Sequence, residues 1–240
     1  MARVALVTGG TRGIGAAISV DLKKAGRTVI ASYAGNVAAA EAFHKETGIE
    51  TIRFDAADYD ACMAAVAEIT AKHGHIEILV NNAGITRDTT IAKMTREMWD
   101  AVMDTNLGSC FNLSKAVFDG MKGGKFGRIV SIGSVNGQAG QYGQVNYASA
   151  KSGIHGFTKA LAQEGARFSI TANAIAPGYV DTEMVRAVPH DVLEKIISRI
   201  PRGRLGTAED IARGVVFLTA DEADFITGST ISINGGQHMY

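Results

Sequence analysis

The chain has 240 residues, 46% of them hydrophobic, and its 24 Lys and Arg are balanced by 24 Asp and Glu. This is enough apolar material for one large folded domain, which excludes a disordered chain, and the zero net charge excludes the broad positive field of a nucleic-acid binder. No run approaches the roughly 18 apolar residues of a membrane helix, and the N-terminal apolar stretch is too short for a signal-peptide core. Cys62 and Cys110 lack metal-ligand spacing and the histidines are scattered, so a reduced cytoplasmic protein without a metal site is expected.

Seven short β-branched runs, 3–8, 28–33, 50–55, 76–81, 127–132, 170–175 and 230–234, alternate with helical patterns. This alternation predicts a single α/β domain over 1–240, a doubly wound seven-stranded parallel sheet with helices on both faces. Continuous apolar runs such as VALV and RIVSI suit strands covered on both sides.

The first run leads into Thr8-Gly9-Gly10-Thr11-Arg12-Gly13-Ile14-Gly15, and a helix follows to about Ala25. Glycines there permit a tight turn and let helix N-terminal N–H groups approach a pyrophosphate. Gly9, Thr11, Arg12, Gly13, Ile14 and Gly15 are therefore candidate dinucleotide contacts, an ordinary strand-to-helix turn being the alternative. The second run ends Ala31-Ser32-Tyr33-Ala34-Gly35-Asn36, without the carboxylate that would bind ribose hydroxyls. Arg12 can instead pair with a 2′-phosphate, so NADPH is favoured, with Ser32, Tyr33 or Asn36 sharing that phosphate. Arg12 as solvated charge is the other reading.

Asp55-Ala56 closes the third run and could accept from an adenine amino group or cap a turn. Asn81-Asn82-Ala83-Gly84, closing the fourth, suits a ligand edge or a plain turn. Helical segments over 95–121 carry Trp99, Val102, Met103, Leu107, Phe111, Leu113 and Val117 as expected core. Asn106 among them either bends the helix or holds something.

After the fifth run come Ser134 and a loop rich in glycine and glutamine, in which Gln138, Gln141 and Gln144 suit an amide or thioester ligand or simply solvent. Tyr147 and Lys151 follow, four residues apart on one helical face. A fixed ammonium there lowers the phenol pKa and makes it a general acid or base, with Ser134 sharing a substrate oxygen. Taken alone, the pair reads as an amphipathic surface pair. Beyond the sixth run, Pro189 can start a helix bearing Val192, Ile196 and Ile200, either a lid at about 181–205 or an ordinary packed helix.

With TGGTRGIG, NNAG, Asn106, Ser134 and the Tyr147/Lys151 pair in this order, the chain resembles the short-chain dehydrogenase/reductase family along its full length. The resemblance implies a Rossmann fold, usually a homotetramer, with Ser134, Tyr147 and Lys151 catalytic and Asn106 holding a water for proton resupply. Within the family, SVNGQAGQYGQVNYASAKSGIHGFTKALAQE and NGGQHMY are similar to NADPH-dependent acetoacetyl-CoA reductases, which feed polyhydroxybutyrate synthesis. The 3-oxoacyl-[acyl-carrier-protein] reductases come next. That likeness implies cofactor contacts at Asn82, Ala83, Gly84, Ile85, Thr86, Pro177, Gly178, Tyr179, Val180 and Thr182. It implies an acyl thioester, on CoA or on acyl carrier protein, held by Asp88, Gln141, Tyr142, Gln144, Gly178 and Tyr179. Arg186, Arg199, Arg202 and Arg204 are candidates for CoA phosphates. The basic residue such reductases often carry near Asn36 is absent. A non-catalytic NADP(H) sensor is the competing reading, against which the intact proton-transferring set argues.

Overall fold

The computed structural model describes residues 2–182, 185 and 190–239. Its strands are β1 Val4–Val7, β2 Thr28–Tyr33, β3 Glu50–Arg53, β4 Ile78–Asn81, β5 Gly127–Ile132, β6 Ile170–Pro177 and β7 Thr230–Ile233. They form one parallel sheet in the order β3-β2-β1-β4-β5-β6-β7. The expected strands are all present, with β2 and β5 at the expected bounds and β6 two residues longer. β3 stops two residues early because the Asp55 carboxylate accepts the Ala57 N–H at 2.9 Å, which turns the chain out of the ladder.

The helices are α1 Gly13–Lys24, α2 Val37–Thr47, α3 Tyr59–His73, α4 Arg96–Met103, α5 Ser109–Gly124, α6 Val135–Ala139, α7 Val145–Gly165, α8 His190–Ser198 and α9 Ala208–Leu218. Alternation along the strands divides the core into two layers. Leu6, Leu79 and Ile129 point to Val66 of α3 and Leu113 and Val117 of α5. Val7, Ile78 and Val80 point to Ile18 and Leu22 of α1 and Ile211 and Val215 of α9. Each such fully buried side chain contributes about 1.5–3 kcal/mol.

Most helix starts are capped locally: Asn36 accepts from Ala39 N–H, Asp58 from Ala61, and Thr95 from Met98, while Thr207 and Asp210 form a capping box. The start of α1 differs. Arg12 makes no side-chain cap there, and no acid occupies the first turn, so that helix end faces outward with its N–H groups available.

The helical stretch expected over 95–121 is interrupted by a π-helical turn, Asp104–Gly108, with Asn106 at its centre. Phe111, expected in the core, is 54% exposed and stacks on Tyr59, because it falls on the outer side of α5 next to the inward-facing Cys110. Trp99, Met103 and Leu107 are half-buried. Pro189 and Arg186 lie outside the described residues. Ile200 falls beyond the end of α8 and is buried beside Gly235. Among the described residues no helix is long and apolar enough to cross a membrane.

Candidate active site

Strand order reverses between β1 and β4, and a cleft of about 920 Å³ opens there at the C-terminal strand edges. The residues that the resemblance assigned to cofactor and acyl contacts line this cleft, as do the candidates of the glycine turn and Ser134, Tyr147 and Lys151, whereas Gln138, Arg199, Arg202, Arg204 and Asn106 do not.

The glycine turn forms one wall. Gly9 (φ +58°) and Gly13 (φ +51°) are left-handed, and a Cβ on Gly15 would stand 2.1 Å from the Gly9 carbonyl oxygen. Asn82 clips this turn to the end of β4, its Nδ2 donating to Thr8 O at 2.8 Å and Gly9 O at 3.2 Å. The Thr8 hydroxyl oxygen accepts the N–H groups of Asn82 and Ala83, both at 2.9 Å. Asn82 is therefore both a lining residue and a clip. A left-handed glycine at the mouth of α1 and an uncapped helix N-terminus together fit the pyrophosphate of a dinucleotide.

The opposite wall holds the proton-transferring groups. Asn146, fully buried, seats the start of α7: its Nδ2 donates to Arg87 O and Met98 O, and its Oδ1 accepts the Tyr147 N–H at 2.8 Å. Ser134 caps α6, its oxygen accepting the Asn136 N–H at 3.1 Å, which leaves the hydroxyl proton to be donated elsewhere. Burial raises the Tyr147 phenol above its ordinary value, with the hydrogen bond to Ser134 opposing. Burial also lowers Lys151, to about 8. The net shift of Tyr147 is therefore upward, opposite to the expected lowering, because desolvation outweighs any stabilisation of the phenolate by Lys151. The Lys151 ammonium donates to Ile132 O at 2.7 Å and stands 5.8 Å from the tyrosine ring centroid, so desolvation of the phenol wins.

The Asn106 amide grips one residue, Oδ1 accepting Ile85 N–H at 2.7 Å and Nδ2 donating to Ile85 O at 2.9 Å. It lies fully buried behind the wall and shapes the loop after β4.

The acyl-site residues form a polar rim. Asn136 Nδ2 donates to Gln144 Oε1 at 2.9 Å, and Gln144 Nε2 to Asp88 at 2.7 Å. Tyr142 is 85% exposed at the mouth. Gln138 does not line the cleft and donates to the Ser232 hydroxyl instead. Arg204 is paired with Asp210 at 3.0 Å. Sequence reasoning missed Phe54 and Thr105, which reach the lining only through the ends of β3 and the π-helical turn. Val192 and Ile196, one turn apart on α8, also line the cleft.

Compared with known proteins, residues 9–238 match the family model described as enoyl-(acyl carrier protein) reductase. The chain is 60% identical over 238 residues to an acetoacetyl-CoA reductase of Shinella zoogloeoides, covering 99% of both chains. It is 59% identical over 240 residues to the acetoacetyl-CoA reductase of Rhizobium meliloti (strain 1021), covering both completely. It is 46% identical over 242 residues to the 3-oxoacyl-[acyl-carrier-protein] reductase FabG of Pseudomonas aeruginosa, covering 99% of this chain and 98% of that one.

Proposed function

The chain belongs to the short-chain dehydrogenase/reductase family of oxidoreductases, and on that premise we propose that it reduces acetoacetyl-CoA to (3R)-3-hydroxybutyryl-CoA with NADPH. One observation carries the reading: Ser134, Tyr147 and Lys151 converge on a single cleft whose facing wall is the glycine turn. NADPH, when bound, supplies the hydride that the β-carbonyl carbon receives. Ser134 and Tyr147 donate hydrogen bonds to the carbonyl oxygen and stabilise its developing negative charge. Tyr147 then gives up its proton, completing a secondary alcohol and leaving a phenolate that the Lys151 ammonium stabilises. A phenol held above its ordinary pKa is protonated at neutral pH and available for that step. Asn106 positions the loop after β4 through Ile85 and leaves one amide N–H and one oxygen lone pair for a water that resupplies the proton.

Arg12 at the glycine turn, with no acid at the end of β2, favours the phosphorylated cofactor. Val192 and Ile196 make α8 the apolar underside of a lid over the acyl site. A homotetramer would cover exposed apolar side chains such as Phe111. A cytoplasmic location and a product feeding polyhydroxybutyrate synthesis complete the reading. The second reading, a 3-oxoacyl-[acyl-carrier-protein] reductase, is favoured by Lys122 and Arg167, which both stack on Phe168 and offer a small cationic surface to an acidic carrier.

The test is loss of NADPH absorbance with acetoacetyl-CoA and with acetoacetyl carrier protein side by side, repeated with NADH. Faster turnover of the CoA ester with NADPH is expected. Preference for the carrier protein would move the assignment to the second reading, and no turnover of either would overturn both.

A further inference from the structure

We propose that Arg53, on the edge strand β3, is a second cation for the 2′-phosphate of the cofactor, an inference that rests on the NADPH reading above. The turn between β2 and α2, from Tyr33 to Asn36, lines the cleft. Its own side chains offer a dianion only neutral donors, the Tyr33 hydroxyl and the Asn36 Nδ2, and the neighbouring Ser32 is 2% exposed. No Lys or Arg occurs from Thr28 through His44. Arg12 alone is a thin complement for a phosphate monoester, which carries close to two negative charges at neutral pH.

The parallel register supplies another cation. Arg53 stands opposite Tyr33, and its Nε donates to the Ala34 carbonyl at 3.1 Å. That bond pins the guanidinium against a lining residue of the turn and uses one of its five N–H donors. Arg53 is exposed, and among the described residues no carboxylate pairs with it: Glu50, on the same strand, is held by Lys72 and His73. An uncompensated guanidinium fixed beside the turn that follows β2 is suited to a phosphate held there, through charge-assisted and bidentate hydrogen bonds.

The test compares 2′,5′-ADP with 5′-AMP by calorimetry, since the pair differs in the 2′-phosphate, and NADPH with NADH by fluorescence, on wild type, R53A and R53K. R53A is expected to bind 2′,5′-ADP and NADPH about tenfold more weakly, with 5′-AMP and NADH unchanged, and R53K to recover part of the loss. The salt dependence of 2′,5′-ADP binding should flatten in R53A. Wild-type affinity for 2′,5′-ADP in R53A overturns the inference alone. Equal loss of 5′-AMP and 2′,5′-ADP also overturns it, because Arg53 would then only tie the turn. A wild type that binds 2′,5′-ADP no more tightly than 5′-AMP overturns the NADPH reading, and this inference with it.

Discussion

The Lys151 ammonium donates a 2.7 Å hydrogen bond to the carbonyl oxygen of Ile132, the last residue of β5. The amine is thereby anchored to the sheet rather than to the phenol one helical turn earlier. Among the described residues no carboxylate offsets its desolvation, which is why its pKa falls to about 8, with Cys110 opposing.

A pH dependence follows. Below about 8 the amine is charged, and above it the phenolate formed in the reaction loses its stabilising partner. Turnover in the reducing direction should therefore fall as pH rises through that value, a limb that Lys151→Met should lack on its much lower residual rate. The stability effect has the opposite sense. Because the folded pKa lies below the ordinary 10.5, the unfolded chain holds more protons between about 8 and 10.5, so this group makes stability rise with pH across that window. Denaturation of wild type and Lys151→Met should show the difference shifting toward wild type as pH climbs. A pH-independent difference would mean the amine is not depressed.

Tyr147→Phe removes the proton donor while leaving the ring and the Asn146 contact to its backbone in place. Turnover should drop by about a thousandfold with little change in NADPH affinity. Steady-state kinetics paired with a cofactor titration will decide this, and near-normal turnover would remove the tyrosine from the mechanism.

The two glycines that open α1 should respond differently. A Cβ on Gly15 meets the Gly9 carbonyl oxygen at 2.1 Å and Asn82 Nδ2 at 2.6 Å, so Gly15→Ala must displace the turn and should abolish cofactor binding. A Cβ on Gly13 meets nothing nearer than Thr182 at 3.8 Å, so Gly13→Ala should cost only the left-handed strain, about 1–2 kcal/mol. Thermal shift with and without NADPH separates the two.

Asn106→Ala leaves the Ile85 N–H and C=O, half-buried at the edge of the cleft, without their partner. A loss of about 2–4 kcal/mol in urea unfolding is expected, with weaker NADPH binding as the loop after β4 loosens. Unchanged stability with reduced turnover would leave Asn106 a part in proton transfer only.

Phe111→Glu places a charge on the exposed face of α5. Light scattering should give a tetrameric mass for wild type and a smaller one for the variant. A monomeric wild type would count against the assembly.

The strands and the glycine turn were legible in the residues because each depends on local physics: a run such as VALV is buried on both faces wherever the sheet places it, and left-handed glycines are demanded by the turn itself. Tyr147 and Lys151 were legible as a pair for the same reason, since helical spacing alone puts them on one face. Their electrostatics were not. Which group Lys151 contacts depends on where β5 ends, so only the packing of α7 on the sheet decided that the amine turns to Ile132. Asn106 could be marked as out of place in a helix, but its partner Ile85 lies 21 positions earlier and is met only across the π-helical turn. Phe111 looked like core because its composition is apolar, yet burial is set by which side of α5 faces the sheet. Arg53 gave no signal at all, because the turn it serves follows a different strand and is reached through parallel pairing. Local chain geometry can be read one residue after another, whereas desolvation and cross-strand proximity exist only once the layers have closed.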